Sequence, residues 1–282
     1  NDSYKSIHHV LAIPGIREPL ITDYAAQKTQ EYQMAIYVMD IPNYDADGTR
    51  IYIEDTTVPS VEQTVSSLLN RSIDNNYAAT YFPDVIIKDE INNNRNTEVP
   101  ASIAAIGAYS FNDTTAGVWY APAGFTRGAL MSVIESQVKL NQANLDELYE
   151  VDINPLASFG HTPEVVVFGQ KTLQQTRSAL DRINVRRLMI YLKREISFIA
   201  SRLLFDVNAQ VTWDRFSDQA KVVLGEVKSG FGIDEFKLVL DESTTTPDLI
   251  DQNIIYAKLL VKPTRSVEFF AIDFVVTRSG AS

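Results

Sequence analysis

The sequence predicts a mixed α/β fold, of the α+β kind, in which a mixed β-sheet is flanked by helices. Short apolar runs such as Ala35-Ile36-Tyr37-Val38-Met39 and Val165–Phe168 have the length and β-branched content of buried strands. Longer segments repeat apolar residues at helical spacing, most clearly Ile183, Leu188, Leu192, Ile196, Ile199 and Leu203. The two kinds interleave along the chain. With 282 residues, 45% of them hydrophobic and 22% charged, the chain can bury one large core or two smaller ones.

Element by element, the opening stretch to Gln30, with Pro14-Gly15 and Pro19, shows no clear period. Ala35–Met39 reads as a strand ended by Pro42, and Arg50–Glu54 as a short second strand. Ser60 is placed to cap a helix whose inner face is Val61, Val65, Leu68 and Leu69. Tyr77–Phe82 is a strand ended by Pro83, and Asn92–Asn96 is a polar loop or internal boundary. Helices are expected over Ala101–Ala108, Phe125–Val138 and Gln142–Glu150, the last capped by Asn141. Leu156–Phe159 and Val165–Phe168 are strands, and a long helix runs from Ser178 to about Leu204. An amphipathic helix over Thr212–Lys228 turns Trp213, Phe216, Ala220, Val223, Leu224 and Val227 inward. Strands are expected at Phe236–Leu240, Ile254–Val261 and Val267–Val276. The last is apolar on nearly both faces, so it needs cover from its own fold or from another chain.

Composition narrows the functional classes. There is no Cys, which excludes a disulfide scaffold, thiolate metal sites and cysteine catalysis. The formal charge of −11 opposes binding to nucleic acid or anionic lipid. No apolar run approaches the roughly 20 residues needed to span a bilayer, so no membrane insertion is expected. The first residues, Asn1-Asp2-Ser3-Tyr4-Lys5, carry neither an initiator Met nor a basic-then-apolar signal, which reads as a piece of a longer subunit.

Motifs for chemistry are weak. Asn43-Tyr44-Asp45-Ala46-Asp47-Gly48 followed by Glu54 has the oxygen-ligand spacing of a calcium loop, but no helix enters it and Arg50 occupies an apolar slot. A simple Asp-Gly hairpin turn is the stronger reading. Gly169-Gln170-Lys171-Thr172 follows a strand, yet Gln170 separates the Gly from the Lys of a phosphate loop. His8 and His9 project apart in an extended chain, and His161 sits in a turn between Gly160 and Pro163. No catalytic residue, cofactor site or metal site is assigned. One charge feature departs from the acidic background. Arg177, Arg182, Arg186, Arg187, Lys193, Arg194 and Arg202 lie in one helical region opposed only by Asp181 and Glu195. Arg182, Arg186, Arg187 and Arg194 form either a solvated face or a basic interface for an acidic partner.

A group of segments in order resembles the tail sheath proteins of contractile-tailed bacteriophages, relatives of pyocin and type VI secretion sheaths. They are Val99-Pro100-Ala101-Ser102, Gly117–Gly124 with Arg127-Gly128, Leu145–Tyr149 with Ile153-Asn154-Pro155, and Gly169–Leu173. Arg182–Leu188, Thr246-Pro247, Ile250-Asp251, Lys262–Ser266 and Phe274–Gly280 complete the set. The resemblance runs from about Val99 to Gly280. It implies a variable portion over 1–96 and a conserved C-terminal sheath domain over 97–282, with the family's N-terminal arm lacking.

The resemblance implies a mechanical role: a structural subunit, not an enzyme, that polymerises around the tail tube and contracts to drive the tube through the host envelope. Its partners would be other sheath subunits in a helical homo-oligomer, the tail tube protein, and baseplate and tail-terminator proteins, in a virion tail assembled in the host cytoplasm. Such subunits add terminal strands to neighbours' sheets, which fits the terminal segment carrying Val267, Phe269, Phe270, Ile272, Phe274 and Val276. A helix near the C-terminus would face the tube: Arg215, Lys221 and Lys228 on the Thr212–Lys228 helix are the first candidates, and the Arg186-Arg187 region is the second. The alternative is a soluble α/β nucleotide-binding or hydrolytic enzyme using Gly169–Thr172 or the Asp45, Asp47 and Glu54 group.

Overall fold

The computed structural model describes residues 9–52, 57–89, 94–160, 164–266 and 268. In chain order these form β1 (Val10–Ala12), α1 (Pro19–Tyr32), β2 (Ile36–Met39), β3 (Asn43–Tyr44), β4 (Arg50–Ile51), α2 (Val61–Leu69), β5 (Ala78–Phe82), β6 (Val85–Asp89), β7 (Arg95–Val99), α3 (Ala101–Thr115) and the single turn α4 (Gly124–Arg127). There follow β8 (Val133–Ser136), α5 (Gln142–Glu150), β9 (Ile153–Ser158), β10 (Val165–Val167), α6 (Ile183–Ser201), α7 (Gln210–Ser229), β11 (Ile233–Val239), α8 (Pro247–Asp251) and β12 (Lys258–Pro263).

The central sheet has the order β1-β2-β5-β9-β10, with β1, β2, β5 and β9 parallel and β10 antiparallel at one edge. Alternation along its strands builds two cores. Ile36 and Val38 of β2 and Ala79 and Tyr81 of β5 point to one face, where Ala104, Ala105, Tyr109, Ile183 and Ile190 pack on them. Tyr37, Met39, Ala78 and Phe82 point to the other face, against Ala26, Val65, Leu68 and Leu148. Burial on both faces is why β2 reads as an unbroken apolar run. Both expected caps form: Ser60 accepts from the Gln63 N–H, and Asn141 makes a reciprocal capping box with Asn144.

A three-stranded sheet β7-β6-β8 and the hairpin β3–β4 flank the central sheet. A C-terminal layer consists of α6, α7 and the antiparallel pair β11–β12, joined through Leu188, Leu192, Leu224, Val227 and Ile233. Trp119 ties this layer to the segment after α3, because its indole Nε1 donates to the Gly230 carbonyl at 2.7 Å.

Several expectations need correction. Phe125–Val138 is not a helix: α4 stops at Arg127 and Val133–Ser136 is a strand paired with β6. The chain crosses to β10 instead, with Leu130 N donating to the Val165 carbonyl at 2.9 Å and Val167 N to that of Gly128 at 2.8 Å. Inter-strand hydrogen bonds and the β-branched pair Val133-Ile134 outweigh the helical spacing of this short apolar run. Strand β9 begins at Ile153, earlier than expected, because its first three residues pair with β5. Arg95 and Asn96 belong to β7, which pairs with β6, so the polar stretch is part of a hairpin. Helix α3 extends to Thr115, and the long helix starts at Ile183 after a 3-10 turn over Ala179–Asp181. The last described strand is Lys258–Pro263, later than expected. Packing also crosses residue 96: the central sheet takes β1, β2 and β5 from before it and β9 and β10 from after it. The two portions expected over 1–96 and 97–282 therefore share one central sheet.

Candidate functional site

The sequence motifs for chemistry are engaged in holding the fold. Asp45 Oδ1 accepts from the N–H of Asp47 at 3.0 Å and of Thr49 at 2.7 Å, and Gly48 has φ of 78°, so the segment is the turn of the β3–β4 hairpin. The Asn43 amide is buried and donates away from the turn, to Asp84 at 3.3 Å. Glu54 lies outside the described residues. At Gly169–Thr172, Asn154 holds the chain: its Nδ2 donates to the Lys171 carbonyl at 2.8 Å and its Oδ1 accepts from the Lys171 N–H at 2.6 Å. Lys171 Nζ pairs with Asp152 at 3.0 Å and sits 3.6 Å from the Tyr149 ring centroid. No helix N-terminus follows this turn, so nothing here cradles a phosphate. Among the described residues no group of His, Asp and Glu is arranged to hold a metal ion, and no helix is long and apolar enough to cross a membrane.

The basic region of α6 divides in two. Arg186 and Arg187 are only 6% and 4% exposed. Arg186 lies 4.0 Å from the Tyr77 ring centroid and donates to Asn76 at 2.8 Å. Arg187 lies 4.5 Å from the Tyr109 ring centroid and pairs with Asp113. Arg186 holds α6 against the segment entering β5 and Arg187 holds it against α3, which corrects their expected place on an outer interface; cation–π contact and burial of the stems explain it. Arg182 and Arg194 are partly exposed. Arg182 pairs with Glu268 at 2.5 Å and with Asp181 at 3.3 Å.

The segment leaving β12 runs back over the start of α6. Ser266 Oγ accepts from Asn184 Nδ2 at 3.1 Å, and Glu268 is held by Arg182 and by Gln170 at 3.2 Å. Val267, Phe269, Phe270, Ile272, Phe274 and Val276 lie outside the described residues. Sheet β11–β12 has two strands among the described residues, so each presents one edge without a ladder partner there.

Helix α7 keeps the expected amphipathic division: Trp213, Phe216, Ala220, Leu224 and Val227 are buried, and Arg215, Lys221 and Lys228 are exposed. Arg215 pairs with Asp206 at 3.1 Å and Lys221 reaches Asp218 at 3.8 Å. The turn between α6 and α7 exposes Leu204, Phe205 and Val207, and the first turn of α7 exposes Val211.

Sequence reasoning missed a buried carboxylate pair. Asp40, after β2, and Asp84, after β5, are 3% and 5% exposed and point at the start of α3. Its flanking Pro100 offers no side-chain cap, so the carboxylates satisfy the first N–H groups from outside the helix. Arg17 pairs with Asp84, and Gly15 N donates to Asp40 at 2.9 Å. Burial raises the Asp40 carboxyl above its ordinary range, against the hydrogen bonds from Gly15 and Ser102. The available signal was an acid one or two residues past the end of a buried strand, twice.

Residues 175–277 match the family described as phage tail sheath C-terminal domain. The tail sheath protein of Vibrio phage KVP40 is 35% identical over 228 residues, covering 79% of this chain and 33% of that protein. The tail sheath protein of Enterobacteria phage T4 is 34% identical over 189 residues, covering 67% and 28%. The chain thus spans about a third of the length of these relatives. Among solved structures, the anti-feeding prophage baseplate gives a TM-score of 0.76 at 21% identity, covering 96% of this chain and 69% of that one. The anti-feeding prophage helical sheath in the contracted state gives 0.73 at 22%, covering 95% and 69%. At those identities the likeness is one of fold.

Proposed function

From the premise that the chain is related to contractile tail sheath proteins and carries their C-terminal domain, we propose that it is the corresponding part of a contractile tail sheath subunit. The subunit polymerises around the tail tube and contracts to drive the tube through the host envelope. The observation that carries this reading is the sequence relationship to tail sheath proteins along most of the chain, since likeness of fold alone does not assign a role.

Two features support a part built for assembly. Sheet β11–β12 ends with a ladder edge on each side among the described residues, and Glu268 anchors the chain just before an apolar segment. Strand addition through Val267, Phe269, Phe270, Ile272, Phe274 and Val276 would link copies by main-chain hydrogen bonds while their bodies reorient. Arg215, Lys221 and Lys228 on the outer face of α7 are the tube-facing residues in this reading. Work comes from better contacts between subunits in the contracted state, so the part acts without catalysis or cofactor. Its partners are other sheath subunits, the tube protein, and baseplate and terminator proteins, in a virion tail put together in the host cytoplasm.

Negative-stain microscopy of the full-length subunit tests the reading, with tubes or rings expected. Strictly monomeric particles with measurable nucleotide turnover would overturn it in favour of an enzyme.

A further inference from the structure

Arg187, Ile190, Tyr191 and Arg194 stand on one face of α6, at the i, i+3, i+4, i+7 spacing. Together with His9, Asp113 and Val118 they line a pocket of about 160 Å³. Arg187, Arg194 and His9 bring N–H groups to its wall beside the apolar Val118 and Ile190. Arg187 gives Nη2 to Asp113, while its buried Nη1 has no hydrogen-bond partner among the described residues. Arg194 Nη1 lies 2.6 Å from His9 Nδ1. Burial, then Arg194 and Arg187, hold the His9 imidazole below its ordinary range, against the opposing pull of Asp113 and Glu195. A neutral ring that accepts at Nδ1 carries its proton at Nε2 and adds a further donor. The acceptors facing these groups are Asp113, which serves Arg187, and Glu195, 3.2 Å from Arg194 Nη2.

We propose that this pocket receives a carboxylate side chain from a second copy of the chain, an inference that rests on the sheath-subunit reading. Arg187 Nη1 supplies the donor: it is a buried guanidinium N–H group without a partner among the described residues, and a carboxylate oxygen would satisfy it in a charge-assisted hydrogen bond. The chain also supplies the partner surface. Residues 206–251 hold ten Asp and Glu against four Lys and Arg. All ten acids are exposed, and Asp241 and Glu242, in the loop after β11, stand apart from helix α7. The pocket and this acidic corner are different surfaces, so their contact is heterologous. Such contacts propagate into a helix where a self-complementary patch would close a dimer.

The test uses the full-length subunit with Arg194→Glu and Arg194→Gln, leaving Arg187 in place because it packs inside the fold. Both variants are expected to melt with the wild type, since Arg194 is partly exposed. R194E should need about tenfold or more higher concentration to assemble in sedimentation, with R194Q in between. A second copy bearing Asp241→Arg or Glu242→Arg should restore assembly when mixed with R194E. Wild-type tubes together with R194E tubes at the same concentration would overturn the pocket contact and leave the sheath reading standing. So would binding of sodium acetate that shifts the His9 ring resonances with R194E assembly unchanged, which marks a free-anion site. A wild type that forms neither tubes nor rings would overturn both readings.

Discussion

Asp40 and Asp84 cap the N-terminus of α3 side by side: Asp40 Oδ1 accepts from Ser102 N at 3.0 Å and Asp84 Oδ1 from Ala101 N at 3.0 Å. Each arrives at the end of a strand of the central sheet, so the cap also fixes how α3 sits across that sheet. Arg17 and the Asn43 amide complete the Asp84 shell.

Asp84→Ala should cost about 3–5 kcal/mol in urea unfolding, because it leaves the buried Arg17 guanidinium without its counter-charge and a helix N–H without an acceptor. A loss below about 1 kcal/mol would mean that the pair is not closed in solution.

Asp40 sets a pH dependence whose sign follows from its raised folded-state affinity for a proton. Its contribution to stability is full below the ordinary carboxylate range and is lost as pH rises through the raised value. Asp40→Asn removes that term. Thermal melts from about pH 4 to about pH 7 should show the variant gaining on the wild type as pH rises. A difference that stays constant with pH would contradict the raised carboxyl.

The joint between Trp119 and the α7–β11 turn is tight. A Cβ at Gly232 would come within 2.8 Å of Trp119 and 2.6 Å of Val227. Gly232→Ala should destabilise by about 1–3 kcal/mol through overpacking. Part of that loss should return in the double variant with Trp119→Phe, which a double-mutant cycle reads directly.

Arg186 and Arg187 should behave as internal residues. Arg187→Lys keeps the charge but loses the guanidinium over the Tyr109 ring and its Nη2 bond to Asp113, and should lower stability by about 1–3 kcal/mol. Chemical denaturation of the isolated subunit is the measurement. An unchanged midpoint with altered assembly would return this residue to an outer interface.

Charge reversal on α7 should do the opposite. Lys221→Glu and Lys228→Glu change exposed side chains, so monomer stability should move by no more than about 0.5 kcal/mol. Tube-templated assembly, followed by sedimentation with purified tube protein, should be lost. Intact templating would remove α7 as the tube-facing helix.

Legibility followed the length and exposure of the pattern. The α7 stripe and the Ser60 and Asn141 caps were readable because local spacing and one side chain suffice for each. Strand β2 was readable because both its faces are buried. The segment after Phe125 was not. A short apolar run satisfies both periods, and its partner β10 lies far along the chain. The arginines of α6 illustrate the same limit in the site. Their number and spacing are visible in sequence, but Tyr77, Tyr109 and Asp113, which draw two of them inward, come from other elements.

What the sequence determined by itself is the class of molecule: an acidic, Cys-free α/β chain without a catalytic constellation, carrying the segment pattern of a sheath subunit. Those properties are sums and local periods, and survive without coordinates. Only the tertiary structure decided which charges are internal and which are available. Burial depends on residues brought together across more than seventy positions, as Arg187 and Asp113 are, and no local period records that meeting. It likewise placed Asp40 and Asp84 at one helix end, where low polarity and fixed N–H groups turn two ordinary acids into a cap.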